Sequence, residues 1–142
     1  MLPGIVEFLL EAIEDDEALA RAALNDNLKG RSDPGHGPRA DDGRWAAGAT
    51  ELLEREVTGV GIEIYDNDGH TAGQAKHIAH WDPSRVLSEC VAKRRLIAFA
   101  RARGHSFGEE LTEARLLTTL ALAYADRDGY EPGWAGEPLT HV

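Results

Sequence analysis

The sequence is short of cysteine, of positive charge and of long apolar runs, and each shortage removes a class of protein. Cys90 is the single cysteine among 142 residues, so no intramolecular disulfide can form and a reducing compartment such as the cytoplasm is expected. No apolar run approaches the ~20 residues that a membrane-spanning helix needs. Met1-Leu2-Pro3-Gly4 places no basic region ahead of an apolar stretch, so no secretory leader is expected. Lys and Arg number 15 against 25 Asp and Glu, a net charge of −10, whereas nucleic-acid-binding domains are usually basic. The chain is too short for a barrel of eight β/α units, which takes about 250 residues. What remains is a single soluble domain over 1–142, whose 42% hydrophobic content suffices for a core.

Periodicity gives the elements. Ile5, Phe8, Leu9, Ala12, Ile13, Leu19 and Ala23 recur at spacings of three and four, which predicts a helix from Pro3 to about Leu24. Glu7, Glu11, Glu14, Asp15 and Glu17 lie opposite, as a solvated face. From Asn25 to Arg44 the turn signals Asp33-Pro34-Gly35, Gly37-Pro38 and Asp41-Asp42-Gly43 predict a mobile loop over 25–44. Val60 to Tyr65 alternates and is β-branched, a strand preceded by a turn at Thr58-Gly59. Residues 50–57 read as a helix by type or as that strand's partner; a small antiparallel ribbon is the expected outcome, because one strand cannot persist alone.

The second half is punctuated by caps. Thr71-Ala72-Gly73-Gln74 has the capping-box pattern and opens a short helix to His80. Asp82-Pro83 supplies an N-cap and a first-turn proline for a helix to about Arg103, with Val86, Leu87, Cys90, Val91, Ile97 and Ala98 facing inward. Ser106-Phe107-Gly108-Glu109 repeats the capping box and opens a helix carrying Leu111, Ala114, Leu117, Leu120, Ala121 and Tyr124. The short Gly104-His105 link makes the last two helices an antiparallel hairpin. The tail 126–142 is irregular, with Tyr130 and Trp134 as anchors over the hairpin. The fold class is therefore α+β and mostly helical.

Charge is segregated. Between Pro83 and His105 six basic residues face Glu89 alone, a local charge of +5 that leaves −15 on the remainder. Complementation inside the fold, by Glu109, Glu110 and Glu113, is one role; a partner-binding strip through Arg85, Lys93, Arg94, Arg95 and Arg101 is another. Catalytic signatures are missing. Ser84, Ser88 and Ser106 lack the Gly-x-Ser-x-Gly context. Gly69-His70-Thr71-Ala72-Gly73 lacks the ending of a phosphate loop. Cys90 reads as a small buried hydrophobe. His77 and His80 share a helical face with Asp82 just beyond, the weak candidates for a metal, but catalytic zinc normally takes three protein ligands and Asp82 is already a cap. His77 is expected instead to hydrogen-bond across the helix junction and to stack on Trp81. No cofactor is expected.

The run His77-Ile78-Ala79-His80-Trp81-Asp82-Pro83-Ser84-Arg85-Val86-Leu87, followed by Ala92-Lys93-Arg94-Arg95, resembles an uncharacterised family of small proteins of actinobacteria and their phages. Leu122-Ala123-Tyr124-Ala125-Asp126, one residue tighter than the family pattern, also fits, as do Gly129-Tyr130, Trp134, Val6-Glu7-Phe8-Leu9 and Tyr65-Asp66. The Asn25–Arg44 loop departs from the family, being longer and richer in glycine. The resemblance implies a phage-type accessory protein in the host cytoplasm, and transfers no activity. It makes His77, Asp82, Pro83, Arg85 and Lys93 the first positions to test. The expected function is a non-enzymatic binder of a host protein. The alternatives are a metal-dependent hydrolase using His77, His80 and Asp82, and an acidic DNA mimic using the Glu7–Glu17 stripe with Asp41-Asp42. A homodimer through the apolar face of the first helix is a further expectation.

Overall fold

The computed structural model describes residues 4–24, 43–48, 55–59, 62–64, 71–106 and 108–136. The expected loop at 25–44 lies outside the described residues except for Gly43 and Arg44, and so do residues 50–54 of the ambiguous segment. The elements run α1 (Ile5–Ala22), β1 (Trp45–Ala47), β2 (Val57–Gly59), β3 (Ile62–Ile64), α2 (Ala72–His80), α3 (Pro83–Gly104) and α4 (Glu110–Ala121). Two 3-10 turns follow, Leu122–Tyr124 and Pro132–Ala135. The architecture is α+β and mostly helical. Among the described residues no helix is long and apolar enough to cross a membrane. The chain divides into two compact units, Met1–Asp15 with Cys90–Val142, and Asp16–Glu89.

The first unit is a helical one. Ile5, Phe8, Leu9, Ala12 and Ile13 of α1 are buried with Cys90, Ile97 and Ala100 of α3, and with Leu117, Ala121, Tyr124 and Trp134. Glu7, Glu11 and Glu14 stay exposed, as amphipathic spacing requires. The apolar face of α1 is thus taken up by the chain's own core. α3 and α4 are antiparallel: Arg103, near the end of α3, pairs with Glu109 at 3.6 Å, while Lys93 donates to the Tyr124 hydroxyl at 2.8 Å. Gly104, the last residue of α3, lies against Glu113 of α4, whose Cβ would be 3.1 Å from an added Cβ. In the tail, Trp134 packs its ring 5.1 Å from Phe8 of α1 and 5.6 Å from Tyr130. The aromatic anchor therefore grips α1 as well as the hairpin.

Three expectations about the helices are corrected. Ser106 does not cap α4 through its side chain. The N-cap is Glu109 and makes no side-chain cap bond, and Ser106 contributes only its carbonyl, which accepts from Glu109 N at 3.1 Å. Gly108, at φ +82°, turns the chain in between and delays the helix. Val91 and Ala98 of α3 face outward, because α3 carries apolar residues all round and its periodicity cannot select a face. In the second unit's part of α1, Leu19 is 72% exposed and Ala20 is buried. Ala20 lies eleven residues, about three turns, beyond Leu9 and so falls back on the same line.

The second unit contains the sheet, ordered β1-β2-β3 and antiparallel throughout. Trp45 pairs with Gly59 and Ala47 with Val57; Val57 in turn pairs with Ile64 and Gly59 with Ile62. Thr58 and Gly59 are therefore strand residues, not the expected turn. The hairpin partner of Ile62–Ile64 is the segment just before it, and β1 adds a strand that the sequence did not announce. A small core of Val57, Ala75 and Ala79, joined by Trp45, Ala47 and Ile78, packs α2 on this sheet. The α2 cap is as expected: the Thr71 hydroxyl accepts from Gln74 N at 3.2 Å, and the Gln74 side chain accepts from Thr71 N at 2.7 Å.

Candidate functional site

Asp82 is the hinge of the polar chemistry in the second unit. Its Oδ1 accepts from Arg85 N at 2.8 Å, which is the N-cap bond, and its backbone oxygen accepts from Val86 N at 3.1 Å. Pro83 has no donor to satisfy, and Ser84 N donates to the Gly43 carbonyl at 3.0 Å. Every donor of the first turn of α3 is accounted for. The second carboxylate oxygen of Asp82 accepts from Trp45 N at 3.1 Å, across 37 residues of sequence, and so fastens β1 to the start of α3. Gly43 makes this approach possible: its φ is +68°, and a Cβ there would lie 3.0 Å from Ser84 N and 3.2 Å from Pro83 Cβ.

Arg85 is held from three sides. Its Nε donates to Glu89 at 3.0 Å, its guanidinium lies 4.4 Å from the centre of the Trp81 ring, and its Nη1 contacts His80 Nε2. A guanidinium only donates, so His80 Nε2 takes the acceptor role in this contact. The expected junction hydrogen bond of His77 is made by His80 instead. His77 contributes its backbone oxygen, which accepts from Trp81 N at 3.2 Å, and its ring lies 6.4 Å from that of Trp81. Among the described residues no group of three His, Cys, Asp or Glu is placed to hold a metal. Of the three side chains His77, His80 and Asp82, the last two already serve Arg85 and Trp45 as hydrogen-bond acceptors.

Beside this junction runs a groove of about 410 Å³ lined by Trp45, Ala46, Ala47, Lys76, Ala79, His80, Asp82 and Arg85. A second groove, about 270 Å³, passes along Leu19, Ala20, Trp45, Trp81, Pro83 and Val86. Cys90 lies elsewhere, in the first unit, 1% exposed with its thiol 3.8 Å from the Ile13 carbonyl, as a small core residue does.

The proposed cationic strip separates into inward and outward members. Lys93 is bound to Tyr124 by both its hydrogen bond and a 4.7 Å cation–π contact. Arg94 is half-buried and engaged. Arg95 and Arg101 are exposed and pair with no described carboxylate. On the Arg95 side of α3 stand Val91, Leu96 and Phe99, exposed by 49%, 50% and 55%, with Arg103 lying 5.8 Å over the Phe99 ring. Sequence reasoning missed this apolar outer face by assigning Val91 to the core.

The sequence pattern of DUF6221, described as a family of unknown function, matches residues 3–136. The chain belongs to this family. The DUF6221 match takes in all four helices, the sheet and both 3-10 turns, so the junction at Asp82 and the outer face of α3 both fall within it. Searches of curated proteins and of solved structures find no match.

Proposed function

We propose that this protein is a non-enzymatic, phage-type accessory protein that binds an acidic surface of a host protein through the outer face of α3. The observation that carries the reading is the set Val91, Leu96 and Phe99, each about half exposed on one helix, with Arg95 and Arg103 one turn either side of Phe99. Solvated helix faces are normally polar, and a contiguous apolar patch rimmed by charge is a mark of an interaction surface. Aromatic residues and arginine are also the types enriched at interface centres. The charge sign sets the partner: Arg95 on this face is exposed and pairs with no described carboxylate, and Arg103 lies over the Phe99 ring, so the face suits a carboxylate-rich surface.

The alternatives draw less support. A hydrolase at His77, His80 and Asp82 would draw on His80 and Asp82, which the fold already uses as hydrogen-bond acceptors. The acidic stripe of a DNA mimic is broken by cations: Asp15 pairs with Arg127 at 2.6 Å and Glu17 with Arg21 at 3.7 Å. Affinity capture from a host lysate, run in parallel with wild type and Phe99→Glu, tests the reading. A protein retained by wild type at low salt and lost from Phe99→Glu is the expected result. Equal capture by both, or stoichiometric zinc or manganese that is lost on His77→Ala, overturns it.

A further inference from the structure

Among the described residues, the outer edge of β1 makes one hydrogen bond, from Trp45 N to Asp82, and leaves its other outward groups unpaired. Gly48 N donates to Glu56 O at 2.8 Å, which makes that pair hydrogen-bonded in the β1–β2 ladder. Antiparallel pairs alternate, so Ala46 directs its backbone groups to β2, while Trp45 and Ala47 direct theirs away from it. The outward bond from Trp45 N to Asp82 confirms the parity. Among the described residues nothing receives the Ala47 N–H or donates to the carbonyls of Trp45 and Ala47. This is an open strand template, a feature that sheets ordinarily cover or blunt.

The template does not face plain solvent. All three β1 residues line the groove of about 410 Å³ whose other wall is Lys76, Ala79 and His80 of α2. That volume lies within the range of roughly 300–1,000 Å³ typical of ligand clefts. Of the groove's charged residues, Asp82 accepts backbone N–H groups at both oxygens and Arg85 is paired with Glu89, which leaves Lys76 as the cation that pairs with no described carboxylate. Lys76 is exposed at the rim. An edge strand beside a helix is the geometry in which extended peptides add as an extra strand, with main-chain bonds giving affinity and flanking pockets giving selection.

We propose that the free edge of β1 receives an extended, carboxylate-bearing peptide segment as a fourth strand, bonded to the Ala47 backbone and paired in charge with Lys76. Asp82 closes the Trp45 end of the edge and so fixes where the added strand stops. None of these residues belongs to the α3 face, so the failure of either proposal leaves the other standing.

Ala47→Pro supplies a selective test. It deletes the outward N–H and spares the ladder to β2, because proline is tolerated in edge strands where its missing donor would face away from the sheet. The probe is a capped pentapeptide alternating valine and glutamate, added at millimolar concentration to uniformly ¹⁵N-labelled full chain. Chemical-shift changes concentrated on Ala46, Ala47, Gly48 and Lys76 are expected. They should vanish when the peptide is N-methylated at alternate residues and in Ala47→Pro. Lys76→Glu, an exposed helix position where folding is not at stake, should weaken binding about fivefold. The proposal is overturned if no shifts appear at β1, or if they survive N-methylation of the peptide. Self-association of the chain that Ala47→Pro abolishes would also overturn it, because the edge would then belong to a second copy.

Discussion

The two compact units are held by different physics. The helical unit buries large apolar side chains, with Ile5, Leu9 and Ile13 at 1% exposure or less and Trp134 at 4%. The sheet-containing unit has a core of one valine and two alanines, helped by Trp45, Ala47 and Ile78. What it lacks in area it replaces with directed bonds: the Asp82 cap, the Asp82–Trp45 cross-link, the Gly43–Ser84 contact and the Arg85 cluster. Area-driven stabilisation falls gradually as atoms are removed, at roughly 25 cal/mol per Å². Hydrogen-bonded junctions fail by a step, because a buried group left unpaired keeps its desolvation cost. Substitutions in the two units should therefore differ in size and in how well a conservative replacement rescues them.

The largest effect belongs to the helical unit. Trp134→Ala removes the ring that contacts Phe8 and Tyr130, and should cost about 3–5 kcal/mol. Chemical denaturation followed by circular dichroism measures it. Trp134→Phe, which retains an aromatic on Phe8, should recover more than half of the loss. A cost below about 1 kcal/mol would mean that the tail is not part of the core, and the contrast between the units would weaken.

Asp82 comes next. Asp82→Ala removes the cap bond and the cross-link together, for an expected cost of about 2–3 kcal/mol. Asp82→Asn should restore much of this, since an asparagine oxygen also caps, but its single carbonyl oxygen cannot reproduce two separate acceptors. The stepwise behaviour is checked by hydrogen exchange at Trp45 N and Arg85 N. Asn should restore protection at one of these amides and not at both. Full protection at both in Asp82→Ala would remove Asp82 as the fastener.

How far the sequence foretells these features follows from the same contrast. The helices are legible because their signals are local: Thr71 with Gln74, Asp82 with Pro83, and the Ile5–Ile13 stripe each lie within a few turns. The third strand is not, because Trp45-Ala46-Ala47 carries no β-branched alternation and its pairing with Val57–Gly59 crosses a segment without periodicity. Nor is the Trp45–Asp82 bond, whose partners are 37 residues apart. Lys93 reads as a free cation in sequence, yet Tyr124, 31 residues away, occupies it. The outer face of α3 is hidden for another reason. A helix apolar on both sides gives no direction, and burial in three dimensions alone distinguishes Ile97 from Val91.

Gly43→Ala should produce a smaller loss than either change above. A Cβ in the left-handed region costs about 1–2 kcal/mol, and here it also meets Ser84 N and Pro83 Cβ. A melting temperature lowered by several degrees, with the Ser84 amide losing protection, is the expected signature. An unchanged melting temperature would show that the approach to α3 is slack, and that the directed bonds of this unit carry less than the comparison assigns them.

The smallest effect on stability should come from the α3 face, where it separates folding from binding. Arg95→Glu and Phe99→Ser alter side chains whose contacts are largely with water, so each should change stability by about 0.5 kcal/mol or less. Ile97→Ser, on the same helix and 3% exposed, should instead be severely destabilising, because it leaves a cavity and a buried hydroxyl. If the outer residues are retained for a partner, Phe99→Ser weakens capture of that partner without moving the melting temperature, and Arg95→Glu weakens it most at low salt, where charge is least screened. Equal destabilisation by Phe99→Ser and Ile97→Ser would show that both sides of α3 are buried in solution, and the helix would then present no surface for a partner.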